Sequence, residues 1–168
     1  FQATEGATTI TSIASGWGLA GANSAPPVGS EATFLLYEDP NDDGDPSDAI
    51  LLESVDTVVE DPGTNQFTDT RIAPTRVEGT FFIAAVYRGH PSGVSPAPLD
   101  QSSESQQASW VALNGANELD EEDLPSNGLF ANLDALGFPG NWLLRANGTS
   151  NIVAFSPEQG IVDPGESQ

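Results

Sequence analysis

Val77–Arg88, VEGTFFIAAVYR, is the longest apolar run in the chain. Its aromatic and β-branched residues favour extended backbone. Apolar side chains on both parities of the run leave neither face for water. The stretch therefore reads as a central strand covered on both sides. Working outward, partners for it recur with turn signals between them. Residues 7–14 (ATTITSIA), 31–38 (EATFLLYE), 66–72, 108–113 (ASWVAL), 141–146 (NWLLRA) and 152–155 read as strands. Residues 50–60 (ILLESVDTVVE) carry Leu51, Val55 and Val59 on a spacing that also fits a helix; their β-branched content and the following Asp61-Pro62-Gly63 favour a strand. The segments 15–30, 39–48, 89–107 and 114–140 are too polar to bury and read as loops, with a helical turn admissible over 129–136. About seven or eight short strands joined by long loops predict an all-β protein, a β-sandwich of jelly-roll-like or immunoglobulin-like type.

Composition agrees. The chain has 168 residues, 38% of them hydrophobic, enough for one domain with its own core. Its 17 glycines and 13 prolines fall between the apolar runs rather than inside them, as turns require. Acidic residues number 25 against 4 basic ones (Arg71, Arg76, Arg88 and Arg145), a net charge of -21. That balance excludes nucleic acid and anionic lipid surfaces as default partners, since both need a cationic face. It suits high salt or calcium, and self-repulsion should weaken the fold at low ionic strength. No apolar run approaches the ~20 residues of a membrane helix. Cysteine is absent, which removes disulfides and thiol chemistry. The opening Phe1-Gln2-Ala3-Thr4 reads as a processed terminus, and the expected setting is a secreted or cell-surface prokaryotic protein.

Catalytic constellations are missing. His90 is the single histidine, in a turn Arg88-Gly-His90-Pro91, and no Gly-x-Ser-x-Gly elbow accompanies it. With 25 acids, any pair of carboxylates chosen for glycoside hydrolysis is uninformative. The expectation is a non-enzyme.

The sharpest local motif is Asp39-Pro-Asn41-Asp42-Asp43-Gly44-Asp45-Pro-Ser47-Asp48. Positions 39, 41 and 43 followed by Gly44 reproduce the first half of a D-x-[DN]-x-[DN]-G calcium loop, in which alternate side chains converge on one ion. The twelfth position is Ile50 rather than Glu, so a bidentate ligand has to come from Asp48 or Glu53. Asp39, Asn41, Asp43, Asp45 and Asp48 are the candidate calcium ligands. The competing reading is an Asx-rich turn whose side chains bond their own backbone. Among aromatics, Trp110 and Trp142 sit in strand-like runs and read as core. Trp17, between Gly16 and Gly18, is the candidate for an exposed ligand-binding ring, with plugging the end of a sandwich as its alternative. Asn147-Gly148-Thr149 is a sequon read as chance.

Taken in order, LLYEDPNDDGDPSDAILL (35–52), VEGTFFIAAVY (77–87), PLDQSSESQQASWVAL (98–113) and GNWLLRANG (140–148) resemble a domain common in large secreted and surface proteins of bacteria. The resemblance spans 31–148 and implies a non-catalytic jelly-roll-like sandwich found beside proteases, adhesins and carbohydrate-active modules. The tail from Phe155, FSPEQGIVDPGESQ, resembles the opening of an immunoglobulin-like domain. The expected division is a sandwich over 1–148 and a linker or terminal strand over 149–168.

The function expected from this reading is adhesion, spacing or assembly, held by calcium, with a surface protein, a glycan or further copies of the chain as partner. The rivals are a carbohydrate-binding module and a filament subunit that donates its terminal strand to a neighbour's sheet.

Overall fold

Glu31–Glu38 (β2) is the strand around which the protein is built. All six residues from Ala32 to Tyr37 are buried, so both of its faces are covered. The computed structural model describes residues 1–3, 8–18, 25–64, 66–88, 97–115 and 118–150. Over these, β1 is Thr8–Ser15, β3 Ile50–Val58, β4 Thr68–Val77, β5 Phe81–Tyr87, β6 Leu99–Asp100, β7 Trp110–Leu113, β8 Leu129–Asn132, β9 Asn141–Trp142 and β10 Leu144–Ser150. Strands make up 48% and helix 5%, so the fold is all-β.

Two three-stranded antiparallel sheets, in the orders β10-β1-β4 and β3-β2-β5, form the sandwich. Ile10, Ile13 and Trp17 from the first sheet side meet Phe34, Leu36, Phe81 and Ile83 of the second in an inner core. The strand edges also approach each other across the sheets, where the Thr57 and Thr70 hydroxyls of β3 and β4 share a 2.7 Å hydrogen bond. A second, outer cluster lies on the far face of β3-β2-β5. There Leu35, Tyr37, Ala49 and Val86 are covered by Leu119 and Leu124. Two further small sheets, β6-β9 and β7-β8, are paired separately from these.

Several sequence expectations need correction. The run 77–88 is covered on both faces, since Phe81 and Ile83 face the inner core and Val86 the outer cluster. It is not central: β2 lies between β3 and β5. Val77 closes β4, and the chain turns at Gly79 before β5 begins. Residues 50–58 form a strand, and the helix-like spacing of the 50–60 run has a cause. A register shift opposite Leu36/Tyr37 places Leu51 with the outer cluster and Leu52 and Val55 with the inner core, which breaks strict alternation. Residues 129–132 are strand rather than helical turn; the turn follows at 133–137. Strand β4 runs through Pro74, tolerated because pairing with β1 slips there, from Ile10↔Thr75 to Ser12↔Arg71. The expected loop 89–107 contains β6, and the 141–146 run breaks at Leu143 into β9 and β10. Strand β10 reaches Ser150, past the expected boundary at 148. His90, the 152–155 run and the rest of the tail lie outside the described residues.

Candidate metal centre

The loop after β2 is shaped by its own side chains. Asp39 is buried, and its carboxylate accepts the N–H groups of Asp42 (3.0 Å) and Gly44 (2.8 Å). Asn41 Oδ1 accepts Asp43 N–H at 3.0 Å, Asp43 Oδ1 accepts Asp45 N–H at 2.8 Å, and Asp45 Oδ1 accepts Ser47 N–H at 2.9 Å. The last bond caps the short 3-10 turn Pro46–Asp48. The bonds from Asn41, Asp43 and Asp45 each span two residues in the manner of an Asx turn, while those of Asp39 reach three and five residues on. Gly44 sits at φ 80, where a side chain would be strained.

This ladder brings Asp39, Asp43 and Asp48 together, with carboxylate oxygens within 4.8 Å of one another. Asn41 donates through Nδ2 to Asp48 Oδ2 at 2.9 Å, so its amide braces the third carboxylate. Asp45 is not among the converging carboxylates; its Oδ1 accepts Ser47 N–H. Of the two residues offered for the missing Glu, Asp48 joins the triad, while Glu53 lies in β3 opposite Leu36. Three like charges this close repel by about 1 kcal/mol per pair even in water-like surroundings. A hard cation with oxygen ligands would relieve that repulsion, and calcium takes carboxylates of this kind.

Two features of the site were not legible in the sequence. Asp42, at φ 59, turns its carboxylate away from the triad to accept Thr80 N–H at 2.6 Å. Hydrogen bonds from Thr80, side chain first and backbone second, hold the Asp42 carboxyl below its ordinary value. That contact pins the loop to the turn before β5, where Gly79 (φ 60) leaves room: a Cβ there would lie 3.0 Å from Asp42 Oδ1. The second feature is a cleft lined by Asp48, Ile50, Glu122 and Asp123, through which the 118–123 acidic run faces the loop.

No family model, no curated protein and no solved structure matches the chain. The site therefore has to be read from its own chemistry.

Trp17 requires the clearest correction. It is 0% exposed, stacks on Phe34 with centroids 5.7 Å apart, and donates its indole N–H to Thr68 Oγ1 at 2.8 Å. A ring closed on both faces with its polar edge satisfied offers nothing to a ligand. Trp110 and Trp142 are half-buried rather than core. Trp110 stacks on Phe130 at 5.2 Å, and Trp142 donates to the Trp110 carbonyl at 2.8 Å.

The Asp100-x-Ser102-Ser103 and Gly140-Asn141-Trp142 motifs meet in a polar network. Asp100 accepts Ser102 N–H (2.8 Å), Ser102 Oγ (2.7 Å) and Ser103 Oγ (2.7 Å). Asn141 bonds Ser103 Oγ, the Glu104 carbonyl and Gln106 N–H. These bonds organise a loop rather than a ligand site. The Ser103 hydroxyl, then Ser102, lower the Asp100 carboxyl from 3.8 to about 2. Because the folded value is depressed, its stabilising contribution is complete above the unfolded value of 3.8 and fades as pH falls through about 2. Carboxyl NMR titration should place the Asp100 midpoint near 2. The double variant Ser102→Ala/Ser103→Ala should return it to the ordinary carboxylate range. An unchanged midpoint in that variant would refute the hydroxyl assignment.

Proposed function

We propose that this chain is a non-catalytic β-sandwich module of a secreted or cell-surface protein, working in spacing, adhesion or assembly and stiffened by calcium in the 39–48 loop. The observation that carries the reading is the convergence of Asp39, Asp43 and Asp48 at the end of the central strand. Calcium there would tie β2 to the start of β3 through the loop, and to β5 through Asp42 and Thr80. The role is mechanical: the ion would set the rigidity of one end of the sandwich. The segment resemblance over 31–148 supports the same class of module. A surface protein, a glycan or another copy of the chain is the partner this role calls for.

Melting temperature tests it. Calcium that binds only the folded state stabilises by mass action, about 2.7 kcal/mol at a concentration 100 times Kd. The gain over chelator should vanish in Asp43→Ala and should exceed that from sodium chloride at equal ionic strength. Equal responses to calcium and sodium would reduce the effect to screening of the acidic surface. No response to either would leave the loop as an Asx turn alone.

A further inference from the structure

Residues 118–127 form a unit that is tied internally more firmly than it is tied to the sandwich. Asn127, 6% exposed, is its hub: Oδ1 accepts Asp120 N–H at 2.9 Å, and Nδ2 donates to the carbonyls of Asp120 (2.9 Å) and Leu124 (2.9 Å). Asp120 Oδ1 in turn accepts the N–H groups of Glu122 (3.1 Å) and Asp123 (3.0 Å). The attachments to the sandwich are of a different kind. Leu119 and Leu124 pack on the outer cluster, Tyr37 donates its hydroxyl to the Glu121 carbonyl at 3.0 Å, and Arg88 pairs with Glu121 while also reaching Thr33.

Charge opposes this attachment. The unit carries Glu118, Asp120, Glu121, Glu122 and Asp123, and it faces the acidic 39–48 loop across the cleft where Asp48 stands opposite Glu122 and Asp123. Arg88 is its cationic anchor among the described residues, in a chain of net charge -21. The Arg88–Glu121 pair is in contact and half-shielded, so salt weakens it less than it weakens the longer-range repulsions. Those repulsions act across about 30 Å at 0.01 M salt and only a few ångström at 1 M.

From this balance we infer that residues 118–127 are a strap which lifts off the outer face of the β3-β2-β5 sheet at low ionic strength, as a local opening that leaves the inner core closed. Lifting uncovers Leu35, Tyr37 and Val86, an apolar face that the strap otherwise hides. The Tyr37 phenol fits the closed state, since burial, then the Glu121 and Asp120 charges, push it well above its ordinary value. The inference is independent of calcium and concerns the chain with the ion removed.

The absence of cysteine makes the test clean. Single cysteines are introduced under the strap, as Val86→Cys and, separately, Ala49→Cys, and in the inner core as Ala32→Cys. Each is labelled with a neutral maleimide in chelator, and its rate is normalised to that of the urea-unfolded chain at the same salt. The strap probes should react roughly tenfold faster at about 10 mM than at about 500 mM sodium chloride, with Ala32→Cys unaffected. Adding Leu124→Ala should speed the strap probes at both salts while the inner probe stays protected. Equal salt dependence at inner and outer probes would mean that the whole sandwich opens, and would overturn the strap. So would outer probes indifferent to both salt and Leu124→Ala. Because chelator is present throughout, these outcomes are separate from the calcium melt.

Discussion

Replacing Trp17 with alanine is expected to cost about 3–5 kcal/mol, the range for removing a large aromatic from a packed core. The ring is fully buried, lies against Phe34, and gives the Thr68 hydroxyl its donor. Truncation therefore leaves a void beside β2 and deprives a buried hydroxyl of a partner. The neighbouring backbone is engaged as well, because the Trp17 carbonyl accepts Gly63 N–H at 2.8 Å and closes the end of the sandwich. Thermal melting should fall by roughly 10 °C for a chain of this size. Trp17→Phe should recover most of the loss, since it restores the stacking but not the hydrogen bond. A Trp17→Ala chain that melts like the parent would show that the ring is not core. That result would revive the exposed-platform reading, and with it the carbohydrate-binding alternative.

A second large effect is expected at Gly148, in the middle of β10. A Cβ built there would stand 2.3 Å from the Thr9 carbonyl oxygen and 3.1 Å from Ile10 Cα. Both are backbone atoms of the central strand of the first sheet, so no side chain can swing aside. The closeness comes from the register shift in β1 between Ile10 and Ser12, which Gly148 and Asn147 oppose. Gly148→Ala should destabilise by about 3 kcal/mol, the upper part of the overpacking range, through loss of β1–β10 pairing. Denaturant midpoints and hydrogen exchange at Thr9 and Ile10 would measure it. A substitution costing less than about 0.5 kcal/mol would mean that the strands part easily, and that the bulge is not fixed. The same geometry bears on the Asn147-Gly148-Thr149 sequon. Asn147 uses its amide to donate to Ser12 Oγ at 3.1 Å and Asp69 Oδ1 at 3.3 Å, so a glycan there would have to break both bonds.

These two residues mark the limit of what could be read from the chain. Gly148 looked like part of a chance sequon because the backbone it accommodates is Thr9, far away in sequence. Trp17, flanked by glycines, admitted either an exposed ring or a plug at the end of the sandwich. Its partners, Phe34 and Thr68, come from two other strands. By contrast, the 39–48 loop was legible as a calcium-type or Asx turn, since its bonds run from a side chain to an N–H two to five residues on. The exclusion of Asp45 from the triad was not, although it too is local. Asp39, Asp43 and Asp45 all accept backbone N–H groups, and only the folded backbone decides which of their carboxylates also converge.

What the sequence determined by itself was whatever depends on short range or on totals. The all-β character follows from β-branched apolar runs punctuated by Gly and Pro, and the strongly acidic surface from the balance of charges. The tertiary structure decided which strand is central. Both 31–38 and 77–88 carry apolar residues on both parities, and nothing local distinguishes the strand with two hydrogen-bonded neighbours from the strand with one. It also decided that Leu52 and Val55, three residues apart, share the inner face across a bulge, and that two acidic segments far apart in sequence, 39–48 and 118–123, face each other. Pairing, register and the meeting of like charges are set by which distant surfaces exclude water together. That choice is made by the whole chain collapsing at once.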